Sequence, residues 1–211
     1  MPLINIREIE NDCLLGIWHI TESLNKTDIS FLHHDKYLKS INIESRKMAS
    51  IAARMLIKQM LAHWKVPYRG LSKNENGEPG LEDCEFKVSL SHSGDYAMAI
   101  INKNKKVGID IELIKDKILR IAHRVFSVNE IVMAGKDVEK LTLLWCAKEA
   151  LYKMHGNKKL SFRDNIFINL TKFNEVGEIS GEINFNEFQQ VYKIHFEKFG
   201  DYLMAYSYQN I

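Results

Sequence analysis

One stretch of the chain occurs twice, and that restricts the fold more than any other feature. Phe86-Lys87-Val88-Ser89-Leu90-Ser91-His92-Ser93-Gly94-Asp95-Tyr96-Ala97-Met98-Ala99 lies without gaps on Tyr192-Lys193-Ile194-His195-Phe196-Glu197-Lys198-Phe199-Gly200-Asp201-Tyr202-Leu203-Met204-Ala205, about half of the 211 residues further on. Lys, Gly, Asp, Tyr, Met and Ala coincide, and the alternating apolar positions stay apolar. Alternation with a period of two around a Gly-Asp turn is the pattern of a β-hairpin. A strong amphipathic helix precedes each copy. The simplest account is an internal duplication; a chance match of common strand and turn residues is the alternative. Duplication predicts an α/β (α+β) protein of two pseudo-symmetric halves, 1–104 and 105–211, packed face to face with the active site between them. The copies differ at the turn, Ser91-His92-Ser93 against Glu197-Lys198-Phe199. A shared site would need only one copy to keep such polar residues.

A second pattern carries chemistry. In Val107-Gly108-Ile109-Asp110-Ile111-Glu112-Leu113 the apolar residues alternate with Gly108, Asp110 and Glu112. This is a half-buried strand whose other side carries two carboxylates, with Cα atoms ~6.6 Å apart at ordinary strand rise. Adjacent acids repel, so a cation should lie between them or one should keep its proton. A hard divalent ion such as Mg²⁺ suits an all-oxygen set; two solvated acids on a strand face are the simpler alternative.

Two long helices are readable. The first runs from about Glu44 to Trp64, with Met48, Ile51, Ala52, Met55, Leu56, Met60 and Trp64 on one face and Arg46, Lys47, Arg54 and Lys58 as basic positions. The second runs from about Val138 to Met154. Leu144, Ala147, Leu151 and Met154 form its stripe, and Trp145, Glu149 and Lys153 lie at i, i+4 and i+8 on a neighbouring face. Glu149 and Lys153 could be an ordinary surface pair worth ~0.2–0.5 kcal/mol. If Glu149 reaches Asp110 and Glu112, three carboxylates and a lysine form a set suited to phosphoryl or nucleotidyl transfer.

Between these helices, Lys73 to Gly80 is a turn-rich loop. Strands are expected at Phe86–Ser91, Tyr96–Ile101 and Val107–Leu113, joined as an antiparallel meander. Cys13–Ile20 reads as a buried strand, Leu160–Leu170 and Glu182–Phe188 as strand-like segments, and Tyr192–Tyr208 as the closing hairpin. Residues 1–43 otherwise say little.

Composition excludes several classes. A net charge of +2 gives no basic footprint for nucleic acid or a membrane surface. No apolar run approaches the ~18 residues of a membrane span, and no signal peptide is seen at the amino terminus. Cys13, Cys84 and Cys146 fit neither a disulfide framework nor a zinc site. A cytoplasmic protein is the expectation.

Val107-Gly108-Ile109-Asp110-Ile111-Glu112, followed by Trp145-Cys146-Ala147-Lys148-Glu149-Ala150-Leu151-Tyr152-Lys153, closely resembles the paired signatures of 4′-phosphopantetheinyl transferases, a G-[IV]-D-[IVL]-E strand and a W-x-x-K-E-[AS]-x-x-K helix. Leu90-Ser91-His92-Ser93-Gly94 is similar to the family's S-H-S-G turn, and Phe126-Ser127 to its F-[ST]. The Ala53–Lys58 helix also looks like theirs. The similarity runs from about Glu44 to Phe162, and length and repeat resemble the long (Sfp-like) branch, in which coenzyme A lies between two α/β halves.

The resemblance implies Mg²⁺-dependent transfer of the phosphopantetheine arm of coenzyme A to a serine of an apo acyl or peptidyl carrier protein, releasing adenosine 3′,5′-bisphosphate. By that analogy Asp110, Glu112 and Glu149 ligate the metal. Glu149 also serves as base and Lys153 stabilises the phosphate under attack. Arg54 and His92, with Ser91 beside it, serve the coenzyme's 3′-phosphate end, and the loop through Lys73, Gly77 and Pro79 holds the adenine. Both halves of the site in one chain imply a monomer. Three positions depart from the family pattern: Glu78 where G-K-P is common, Ser89 where Asn is frequent, and Lys159 in place of a Gly. Two alternatives remain, another Mg²⁺-dependent enzyme of pyrophosphate substrates and a non-catalytic module that binds coenzyme A or a carrier.

Overall fold

The computed structural model describes residues 3–21, 30–32, 38, 40–75, 77–170 and 173–210. It divides into two units, Met1–Lys105 and Lys106–Ile211. Each is a mixed α/β unit with one antiparallel sheet and at least one long helix.

In the first unit the strands are β1 (Leu3–Glu10), β2 (Cys13–His19), β3 (Leu71–Lys73), β4 (Pro79–Leu81), β5 (Lys87–Ser93) and β6 (Tyr96–Asn102), in the sheet order β1-β2-β6-β5-β4-β3. The buried strand expected near Cys13 is β2, which is buried from Cys13 to Trp18. Helix α1 (Glu44–His63) packs Ala52, Leu56, Ile57 and Met60 against Leu14, Trp18, Ala97, Ala99 and Ile101. It rests on Gly16, where a Cβ would come within 2.7 Å of the Leu56 side chain and 2.8 Å of the Met60 sulfur. The chain leaves α1 through Lys65 in the left-handed region (φ 58°) just ahead of Pro67, which cannot continue a helix.

In the second unit β7 (Lys105–Leu113) is followed by helices α2 (Lys117–Val125), α3 (Val128–Ala134) and α4 (Val138–His155). Strands β8 (Ile166–Asn169), β9 (Val176–Phe185), β10 (Phe188–Phe199) and β11 (Tyr202–Asn210) follow, giving the sheet order β7-β11-β10-β9-β8. Helix α4 starts where the Asp137 carboxylate accepts the Glu139 and Lys140 N–H groups and stops at Gly156 in the left-handed region. Its stripe of Leu144, Ala147, Leu151 and Met154 is buried with Ile166, Ile168, Ile183, Ile194, Leu203 and Ala205 of the sheet.

Three expectations need correction. The three strands from Lys87 do not form a meander. β5 and β6 pair, but the other edge of β6 is taken along its length by β2, from Cys13 opposite Asn102 to His19 opposite Tyr96. The Asn102 carboxamide accepts the N–H groups of Asn104 and Lys105 (2.8 and 2.7 Å), and β7 joins the second sheet beside β11. Within Leu160–Leu170 only Ile166–Asn169 is a strand. The Asn165 carboxamide accepts the Ser161 N–H and the Ser161 hydroxyl donates to the Asp164 carboxylate, which holds the preceding segment as a turn. Glu182–Phe188 spans the end of β9, a turn at Asn186 (φ 56°) and the start of β10. No helix among the described residues is long and apolar enough to cross a membrane.

Candidate active site

Gly108 makes the site. A Cβ there would fall 1.9 Å from the Ala150 carbonyl oxygen and 2.9 Å from Met154 Cβ, so only glycine lets β7 touch the backbone of α4. Residues two apart on a strand share a face. Asp110 and Glu112 therefore point to the same side as Gly108, at the helix. Val107, Ile109 and Ile111 take the other side and are buried. Asp110 is itself only 4% exposed, where the alternation alone predicts an open acidic face. The difference comes from the closeness of α4.

The helix answers the strand residue by residue. The Lys153 ammonium donates to Asp110 Oδ1 at 2.7 Å and to the Ile109 carbonyl at 3.0 Å. Two turns earlier the Trp145 indole N–H donates to Glu112 Oε1 at 3.4 Å. Glu149, half-buried between them in sequence, has its carboxyl pushed up to about 7. Burial is the largest cause, the negative charges of Asp110 and Glu112 add to it, and Lys153 opposes. The partner of Lys153 is thus Asp110, a stronger contact than the surface pair with Glu149 that helical spacing offers. Burial among the same acids holds the Cys146 thiol well above its ordinary range, so it stays protonated and is no nucleophile.

Three carboxylates gathered by one strand and one helix are an all-oxygen donor set of the kind Mg²⁺ takes. A cation beside them would relieve the repulsion that raises Glu149. Among the described residues no three His, Cys, Asp or Glu side chains stand around one common point, and the positive group against Asp110 is Lys153.

The remaining expected residues lie in the first unit. Arg54 is on α1 and 2% exposed, with its guanidinium bonded to the carbonyl and hydroxyl of Ser50. Lys73 and Pro79 face each other as the paired ends of β3 and β4. Gly77 has φ 77° and donates its N–H to the Asn74 carbonyl, while Asn76 lies outside the described residues. Ser91 is buried and His92 exposed, as neighbours on a strand should be. Glu78, one of the departures, braces the loop: its carboxylate accepts from the Asn74 amide at 2.6 Å and its N–H returns to the Asn74 oxygen.

Sequence reasoning missed a buried ion pair beside the site. Lys148, with no exposure at all, donates to Glu130 Oε2 (2.8 Å), the Phe162 carbonyl (2.6 Å) and the Ile166 carbonyl. Burial lowers its pKa and Glu130 works against that. Glu130 closes a capping box with Ser127 at the start of α3 and accepts the Ile168 N–H. The Ser-x-x-Glu spacing was a readable signal for that cap. Nothing in sequence pointed from Glu130 to Lys148.

Residues 106–207 match the family model described as the 4′-phosphopantetheinyl transferase superfamily. Curated relatives agree. The 4′-phosphopantetheinyl transferase gsp of Aneurinibacillus migulanus is 25% identical over 137 residues, covering 62% of this chain and 57% of that protein. A 4′-phosphopantetheinyl transferase of Bacillus pumilus is 38% identical over 87 residues, covering 38% and 37%. The 4′-phosphopantetheinyl transferase Sfp of Bacillus subtilis (strain 168) is 32% identical over 118 residues, covering 53% and 51%. The chain spans about half the length of the curated relatives it matches.

Proposed function

With residues 106–207 belonging to the 4′-phosphopantetheinyl transferase superfamily, we propose that this chain transfers the 4′-phosphopantetheine arm of coenzyme A to a serine of an apo carrier protein, acyl or peptidyl. The observation that carries the reading is the meeting of β7 and α4 within the matched region, where Lys153 pairs with Asp110, Trp145 donates to Glu112 and the charges of Asp110 and Glu112 reach Glu149.

The chemistry follows from these groups. The serine oxygen forms a bond to the phosphorus that bears pantetheine, and the phosphoanhydride bond breaks. Adenosine 3′,5′-bisphosphate leaves with that electron pair. Glu149 accepts the serine proton, a task open to a carboxylate placed beside the attacking hydroxyl. Lys153, already held at the strand by Asp110 and Ile109, supplies positive charge to the phosphoryl oxygens as it builds. Asp110, Glu112 and Glu149 would hold Mg²⁺, which when bound neutralises the pyrophosphate.

Residues of the first unit take the rest of the coenzyme on this reading. Arg54, Ser91 and His92 serve the 3′-phosphate end, and the Lys73, Gly77 and Pro79 loop serves the adenine. The division into Met1–104 and 105–211 halves by duplication, a monomeric state and a cytoplasmic setting complete the proposal.

Intact-protein mass spectrometry of an apo carrier incubated with this protein, coenzyme A and Mg²⁺ tests it. Gain of one phosphopantetheine mass that EDTA abolishes is the expected result. Binding of coenzyme A with no gain on acyl, peptidyl or aryl carriers would favour a binding module. Neither binding nor gain would overturn the reading.

A further inference from the structure

We propose that Lys148 and Glu130 are positioning residues for Glu112, acting through the ring of Phe162 and the indole of Trp145. The inference rests on the reading of Glu112 as a metal ligand, and every contact in it lies within the second unit.

The contacts form a continuous chain. An ammonium has three N–H donors, and those of Lys148 are taken by the Glu130 carboxylate, the Phe162 carbonyl and the Ile166 carbonyl. One buried charge therefore ties α4 to α3 and to the turn that precedes β8. Glu130 is fixed in return by the Ser127 N–H, the Ser127 hydroxyl and the Ile168 N–H. The backbone so held is that of Phe162. Its ring stacks on Trp145, with centroids 5.4 Å apart and planes 19° apart, and lies 4.9 Å from the ring of Tyr152. Trp145 in turn donates its N–H to Glu112. Indole has a single polar atom, so where the ring is seated decides where the carboxylate is aimed. Partners of this kind, outside the ligands themselves, typically change metal affinity or activity by about 10- to 100-fold when lost.

A purely structural ion pair would weaken folding and leave the metal affinity of folded molecules unchanged. The two accounts separate in a binding measurement. Mn²⁺ is titrated into the protein with coenzyme A present and followed by electron paramagnetic resonance, for wild type, Trp145→Phe, Phe162→Leu, Lys148→Met and the Lys148→Met/Trp145→Phe double variant. Circular dichroism fixes the folded fraction, and transfer kinetics are measured alongside. The expected result is that each single variant raises the Mn²⁺ dissociation constant by about tenfold. Because the residues act in series, the double variant should be no worse than Lys148→Met alone. Should Lys148→Met not fold, the milder Glu130→Gln, which removes the charge and keeps an amide oxygen for the Lys148 ammonium, is titrated in its place beside Trp145→Phe and Phe162→Leu.

Unchanged Mn²⁺ affinity in the folded variants, with wild type binding normally, overturns the positioning role and leaves the proposed transferase intact. Additive effects of Lys148→Met and Trp145→Phe overturn the path through Phe162. Failure of the wild-type protein to bind Mn²⁺ removes the metal reading itself, and this inference with it.

Discussion

The two units share several local features and differ in what those features carry. In each, a long helix lies over a strand glycine, α1 over Gly16 of β2 and α4 over Gly108 of β7. In each, that strand is hydrogen-bonded to the second strand of a hairpin, β6 or β11. Laid together at Met60 and Met154, the helices read Ala53-Arg54-Met55-Leu56-Ile57-Lys58-Gln59-Met60 and Ala147-Lys148-Glu149-Ala150-Leu151-Tyr152-Lys153-Met154. Alanine, a basic residue, an aliphatic residue and methionine keep their places, and the basic residue is buried in both. Glu149 and Lys153 then correspond to Met55 and Gln59. Setting Gly16 on Gly108 places Trp18 and Ile20 where the second unit has Asp110 and Glu112. On this alignment the first unit has apolar or neutral groups at all four positions. The charges of the second unit are not required by the architecture, and buried like charges oppose folding. Function is the reason left for them.

The largest expected effects test that asymmetry in activity. Glu149→Gln should lower transfer by about 100- to 10,000-fold, the span usual for loss of a positioned base. Its counterpart Met55→Gln should change turnover little. Comparable losses at both positions would break the comparison.

Stability offers the next test, through the two glycines. At Gly108 the obstacle is a backbone oxygen 1.9 Å away, which cannot step aside without moving α4. At Gly16 the obstacles are the ends of Leu56 and Met60, which can change rotamer. Gly108→Ala should cost about 3 kcal/mol or more and Gly16→Ala about 1–2 kcal/mol, read from urea midpoints. Equal costs would show that helix and strand meet as tightly in the unit without the acids.

Glu149 gives a pH signature. Its folded pKa of about 7 lies above the ordinary value of 4.5, so folding favours the protonated form. The corresponding stability is fully present below the unfolded pKa and is lost as pH rises through about 7. Without divalent metal, Glu149→Gln should therefore be more stable than wild type at pH 8 by about 1–3 kcal/mol, with the gap closing towards pH 4. Mg²⁺ should narrow the gap at pH 8 by stabilising the wild type. A gap independent of pH would detach Glu149 from the acidic cluster.

Much of this was open to reading from sequence, for a physical reason. β7, α1, α4 and both hairpins have strong periodicity, because each buries one face against a neighbour. Asp110 and Glu112 stood out as the polar side of an alternating strand, and Glu149 and Lys153 through helical spacing and the resemblance of their helix to a family signature. What escaped has no period to detect. β3 and β4 are three residues each, at the two ends of a turn-rich loop. α3 spans seven residues and declares itself only through the Ser127–Glu130 cap. The edge that β7 joins was decided by competition, since β2 had filled the side of β6 that a meander would need. The Lys148–Glu130 pair joins residues on different helices, and pairing across helices follows packing rather than spacing.

The smallest effect gives the most discriminating test of a shared plan. Both hairpins turn on a left-handed glycine, Gly94 at φ 54° and Gly200 at φ 56°, and in both the next pair in register closes on tyrosine, Ser93 opposite Tyr96 and Phe199 opposite Tyr202. Around Gly200 a Cβ would meet nothing within 4 Å, so Gly200→Ala loses only the backbone preference, about 1–2 kcal/mol. Asparagine tolerates that conformation better, so Gly200→Asn should recover part of the loss. If the hairpins are one device used twice, Gly94→Ala and Gly94→Asn should reproduce both values to within about 0.5 kcal/mol in thermal or urea unfolding. A much larger cost at Gly94 would mean that the turn beside His92 is held by contacts the Gly200 turn lacks. That would place the divergence of the two copies in the backbone as well as in the side chains.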